Sequence, residues 1–72
     1  MEEIYVKLLN EGTEAYRPVL AKRISESVYF IPDTGTYDAD DETWEYPPGS
    51  RVHVTQRLLS GELKLVAISL AP

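Results

Sequence analysis

SRVHVTQRLLSGELKLVAISL, residues 50–70, is the stretch that decides the fold. Val52, Val54 and Gln56 alternate with Arg51, His53, Thr55 and Arg57. That is the period of two that a strand imposes on its side chains. Ser60 and Gly61 interrupt the pattern, and Leu63 and Leu65 resume it. Ser-Gly between two such runs reads as the tight turn of an antiparallel hairpin. From Val66 to Leu70 the chain is apolar on both faces, as in a central strand or in one bent around a corner.

Working outward, EEIYVKLL at 2–9 places Ile4, Val6 and Leu8 on one face and Tyr5, Lys7 and Leu9 on the other, a half-buried strand. Asn10-Glu11-Gly12-Thr13 follows as a turn of three to four residues, with Gly12 as the residue expected at positive φ. Residues 14–24, EAYRPVLAKRI, form a second strand in which Pro18 argues for an edge position or a bulge. Tyr16, Val19, Leu20 and Ile24 keep no strict period of two, which a bulge would explain. A short helix over 19–26 is the competing reading, and Pro18, Ser25 and Ser27 leave it barely two turns.

VYFI at 28–31 is a short strand between Ser25-Glu26-Ser27 and Pro32-Asp33-Thr34-Gly35-Thr36. YDADDETWEY at 37–46 begins as polar loop and ends as a short strand over 43–46. Pro47-Pro48-Gly49 then redirects the chain. The sum is all-β. About five strongly bent antiparallel strands in one domain, residues 1–72, are expected to close as a small SH3-like barrel, which buries their surface without long edges.

The composition narrows the function. The chain has 72 residues, no cysteine and one histidine, His53, so a zinc site of Cys and His is excluded. Twelve acids against seven bases leave a formal charge of −5, which repels a phosphate backbone. The start, Met1-Glu2-Glu3-Ile4, has no positive n-region before an apolar run, and no apolar run reaches spanning length. No membrane role and a cytoplasmic location are the expectations.

LLNEGTEAYRPV at 8–19, YDADDETWEYPPGSRV at 37–52 and RLLSGELKLVAI at 57–68 together resemble a group of short bacterial proteins of unknown function with a small SH3-like β-barrel. Their shared features are LNEG, RPV, a tryptophan motif ending in Pro-Gly and a closing hairpin around Ser-Gly. The resemblance covers nearly the whole chain. It implies a fold, no catalytic residue and no cofactor. The usual SH3 pattern carries its acids in a long loop after the first strand, and here that connection is the short NEGT turn.

The candidate site is the acidic stretch. Asp33, Asp38, Asp40, Asp41, Glu42 and Glu45 give six negative charges over thirteen residues with no positive one. The plain reading is a solvated loop. The functional reading is a surface for a basic protein partner, which relieves the crowding of the acids. A divalent metal on Asp38, Asp40, Asp41 and Glu42 is the third, but the EF-hand glycine and glutamate spacing is missing. Tyr37, Trp44 and Tyr46 border the acids. Trp44 is read either as the core anchor of a small domain or as part of an aromatic ledge beside carboxylates. The proposed partner-binding set is Tyr37, Asp38, Asp40, Asp41, Glu42, Trp44 and Tyr46.

Arg51, His53, Thr55 and Arg57 share a strand face that would suit a nucleic acid, yet seven bases diluted by twelve acids make that contact weak. Neither a nucleophile motif nor room for a substrate cleft is evident, so no enzyme is expected. The leading expectation is a non-catalytic protein-interaction module. The alternatives are a homo-oligomeric structural unit, such as a homodimer built on a sheet edge or on residues 63–70, and a weak nucleic-acid-binding barrel.

Overall fold

A computed structural model describes residues 1–72. It contains six strands and no α-helix: β1 (Glu2–Leu9), β2 (Tyr16–Arg23), β3 (Val28–Phe30), β4 (Thr43–Trp44), β5 (Arg51–Leu59) and β6 (Glu62–Leu70). No helix is long and apolar enough to cross a membrane.

The strands lie in one sheet of order β2-β3-β5-β6-β1-β4, with β1 also paired to β2. The β1–β2 ladder is antiparallel and runs without a break from Glu2↔Ala21 to Lys7↔Tyr16. The β5–β6 ladder is also antiparallel, from Val52↔Leu70 to Leu59↔Glu62. By contrast, β1 meets β6 at one parallel pair, Tyr5↔Val66. β4 adds two pairs to the far end of β1, Leu8↔Trp44 and Leu9↔Thr43.

These pairings correct the expected architecture. The expected SH3-like barrel of about five antiparallel strands is replaced by a curled six-stranded mixed sheet. Its β1–β6 junction is a single parallel bridge, where a barrel wall needs a continuous ladder. β2 takes one edge of β1 along residues 2–7, and the other edge is shared between β4 at residues 8–9 and β6, which meets it at Tyr5 alone.

The core sits inside the curl. Ile4 and Val6 from β1, Val19 and Ala21 from β2, Tyr29, Ile31, Val52, Val54 and Ala67 form one buried cluster. Trp44, Tyr46 and Leu65 pack against it, half-buried. Tyr29 keeps its hydroxyl satisfied by donating to Glu2 Oε2 at 3.3 Å.

Several local expectations change. β2 is strand through Arg23, so the helix over 19–26 is absent. The β1–β2 register is continuous through Tyr5↔Pro18, so Pro18 marks no bulge. Proline fits there because β3 pairs β2 only at Lys22 and Arg23, and the other side of β2 at Pro18 has no partner strand. The broken periodicity of β2 arises because Leu20 is an exposed apolar residue between buried Val19 and Ala21.

A bulge does occur in β6. His53 pairs with Ser69 and Val54 with Ala67, so Ile68 is the extra residue. That shift lets consecutive Val66 and Ala67 both be buried, the bent alternative for the apolar run. Positive φ falls on Asn10 (62°) in the β1–β2 connection, and Gly12 is not among the left-handed residues. That connection is also longer than expected, because the ladder ends at Lys7↔Tyr16. The Ser60-Gly61 turn is as read, with φ of 51° and 83°, the two left-handed residues of a tight hairpin.

Candidate functional site

The segment between β3 and β5 is tethered at both ends. Ile31 is buried, its N–H donates to the Ser50 carbonyl at 2.9 Å, and its carbonyl accepts from Gly49 N–H at 2.6 Å. Gly49 stands at φ 92°, where a side chain would be strained. Ser50 folds back on the Pro47 carbonyl through its hydroxyl, 2.6 Å. The Pro-Pro-Gly redirection is therefore built as the closing half of a loop that begins at Ile31.

Inside the loop, Asp38 organises a turn. Its Oδ1 accepts from Asp40 N–H at 2.9 Å. Its carbonyl accepts from Asp41 N–H and Glu42 N–H, both at 3.1 Å. Thr43 Oγ1 donates to the Ala39 carbonyl at 3.2 Å. The chain then reaches β4 and is fixed to β1, with Glu45 N–H donating to the Lys7 carbonyl at 2.8 Å.

Glu42 is the hinge of the site. It accepts a two-point fork from Arg17 of β2, Nε to Oε1 and Nη2 to Oε2, each 2.8 Å. Its Oε1 also accepts from Trp44 Nε1 at 2.9 Å. These donors, Arg17 first and Trp44 next, pull the carboxyl down to about 2 from the ordinary 4.5. Arg17 is raised in turn, chiefly by its bond to Glu42. Trp44 backbone N–H donates to the Tyr37 hydroxyl at 3.1 Å, and the Tyr37 and Trp44 rings lie 4.7 Å apart, tilted by 57°.

Trp44 thus takes neither of the two pure roles. It packs on the core cluster and is half-exposed beside carboxylates. Tyr46 packs on the same cluster from outside β4, and its hydroxyl is raised first by burial, then by Glu45.

Arg17 joins this site from β2, a connection that no local sequence pattern signals. It is the sole cation that pairs with the acidic stretch, since the other ion pair is Lys64 with Glu62. Asp33, Asp38, Asp40, Asp41 and Glu45 have no ion pair. The metal grouping proposed on Asp38, Asp40, Asp41 and Glu42 is not assembled, and no three or more such side chains converge anywhere. Asp38 faces backbone donors and Glu42 faces Arg17, so their oxygens point to different partners.

Beside the aromatic pair lies an open groove of about 360 Å³. Leu20, Pro32, Tyr37, Trp44 and Pro48 supply its apolar walls, and Arg17 also lines it. Pro32 and Pro48 read in the sequence as chain stops and nothing more. The fold turns them into walls because the loop they bracket closes on itself.

Comparison with family models, with curated proteins and with solved structures gives no match to this chain. The resemblance to short bacterial SH3-like proteins is accordingly withdrawn, on this finding and on the mixed-sheet topology.

The cationic face proposed for nucleic acid is divided. Arg57 shares a small recess with Glu14, Tyr16 and Glu45. A phosphate approaching Arg57 would meet both carboxylates. His53 is half-buried and pairs across β5 and β6 with Ser69.

Proposed function

We propose that the chain is a non-catalytic protein-interaction module that binds a basic protein partner in the cytoplasm through residues 37–46. The observation that carries this reading is the imbalance of the loop. Of its five acids only Glu42 has an ion-pair partner, and Asp38, Asp40, Asp41 and Glu45 lie on hydrogen-bonded backbone. Crowded carboxylates without ion-pair partners repel one another, and a lysine- or arginine-rich face relieves that repulsion on docking. Tyr37 and Trp44 add aromatic surface next to the charges. Asp40→Lys with Asp41→Lys tests it. Both side chains are exposed and free of hydrogen bonds to the rest of the chain, so the melting temperature should stay near wild type. Loss of the co-purifying partner supports the reading, and retained binding overturns it.

A homodimer is the second reading. Leu58 and Leu63 face each other across the β5–β6 ladder and are 69% and 63% exposed. Ile68 and Leu70 are exposed farther along β6. Sedimentation at micromolar concentration separates the two readings, because a clean monomer removes the dimer.

A further inference from the structure

The groove beside Trp44 deepens the proposed function by naming what the partner must carry. Most of its side-chain polar groups are already engaged with one another. The Trp44 indole N–H is given to Glu42, and its backbone N–H to the Tyr37 hydroxyl. The Arg17 guanidinium is forked onto Glu42. The Thr34 and Thr36 hydroxyls on the groove's edge bond each other at 2.9 Å. What remains for an occupant is the faces of Trp44, Tyr37, Pro32 and Pro48 and the exposed side chain of Leu20. Such a wall rewards an apolar side chain over a polar one.

The loop beside the groove has the opposite character. Asp33 and Asp38 adjoin groove residues along the chain, and Asp40 and Asp41 follow in the next turn, all exposed and none in an ion pair. Arg17, which lines the groove, is neutralised by Glu42. An anionic lipid surface or a phosphate backbone is repelled by these acids, and a cationic segment is drawn to them. Resting on the protein-interaction reading, we infer that the groove takes one bulky aliphatic side chain from a partner segment in which lysines or arginines flank that residue. A groove of about 360 Å³ suits an aliphatic side chain together with its backbone neighbours.

The test uses the chain's single tryptophan, Trp44, as its own reporter. A capped Lys-Leu-Lys-Leu-Lys peptide is titrated at low salt, with Trp44 emission and backbone amide shifts recorded. Two controls carry alanine at the leucines or serine at the lysines. The leucine peptide should move Trp44 emission and shift the amides of Leu20, Thr34 and Trp44, and each control should bind at least about tenfold more weakly. Leu20→Gln, at an exposed position, should weaken the leucine peptide several-fold with an unchanged circular dichroism spectrum. An alanine control that binds as tightly as the leucine peptide overturns the groove and leaves the acidic-surface reading standing. Failure of all three peptides also overturns the groove, and the Asp40→Lys, Asp41→Lys experiment then decides the broader reading by itself.

Discussion

Residues 33–46 contain two residues of strand, whereas residues 55–65 are strand and a two-residue turn throughout. The irregular segment is nevertheless the better anchored of the two by its side chains. It is held by the Arg17–Glu42 fork, the Trp44 and Tyr37 bonds and the seating of Trp44 on the core. The hairpin tip is held by its backbone ladder, and Leu58 and Leu63 lie in the open. Regular backbone satisfies hydrogen bonds, but it does not ensure that a side chain finds a partner. A loop reaches equal order only if side chains supply what the ladder does not.

That contrast can be broken at four places. Ile31, almost fully buried where the acidic loop begins, should matter most. Ile31→Ala should cost about 2–5 kcal/mol, enough to unfold much of a domain of this size, read as a lowered denaturation midpoint. Trp44→Ala should cost about 2–3 kcal/mol because the ring is only half-buried, and the amide shifts of 37–43 should collapse toward random-coil positions.

Glu42→Gln should cost about 1–2 kcal/mol at neutral pH, discounted because the Arg17 side chain is 49% exposed. The pH dependence carries its own signature. The folded carboxyl sits near 2 and the ordinary value is 4.5, so its stabilisation is complete above 4.5. It is lost as pH falls from there toward 2, and the gap between wild type and Glu42→Gln should close over that window. A gap unchanged down to the lower limit would mean that the fork does not stabilise the fold. Last, Leu58→Gln with Leu63→Gln should change stability by no more than about 0.5 kcal/mol. A larger loss in the monomer would show that the hairpin tip is anchored after all.

Much of the sheet was legible because strands announce themselves locally. Ile4 and Val6, and Val52 and Val54, alternate with polar neighbours as strand faces must, and Ser60-Gly61 is a turn by its own chemistry. Pro18 read as an edge position or a bulge, and the edge holds; which of the two applied depended on whether a partner strand lay beside it, a tertiary fact. In the site, the acids and aromatics were visible as composition. Arg17 was not, since it lies twenty-five residues from Glu42 and no spacing rule joins them.

The sequence alone determined the all-β class, the position of nearly every strand, the Ser60-Gly61 hairpin and the acidic, aromatic-bordered stretch at 37–46. These follow from side-chain period, turn chemistry and charge, all short-range properties of the chain. Only the tertiary structure decided how the strands join. It gave β1 to β2 and β4, reduced its meeting with β6 to one parallel pair, and so replaced the expected barrel with a mixed sheet. It also brought Arg17 to Glu42 and set Pro32 against Pro48 beside Trp44 to make the groove. Pairings of that kind are settled by which of several compatible edges wins the hydrogen bonds and the burial, a competition over the whole chain that no local pattern records.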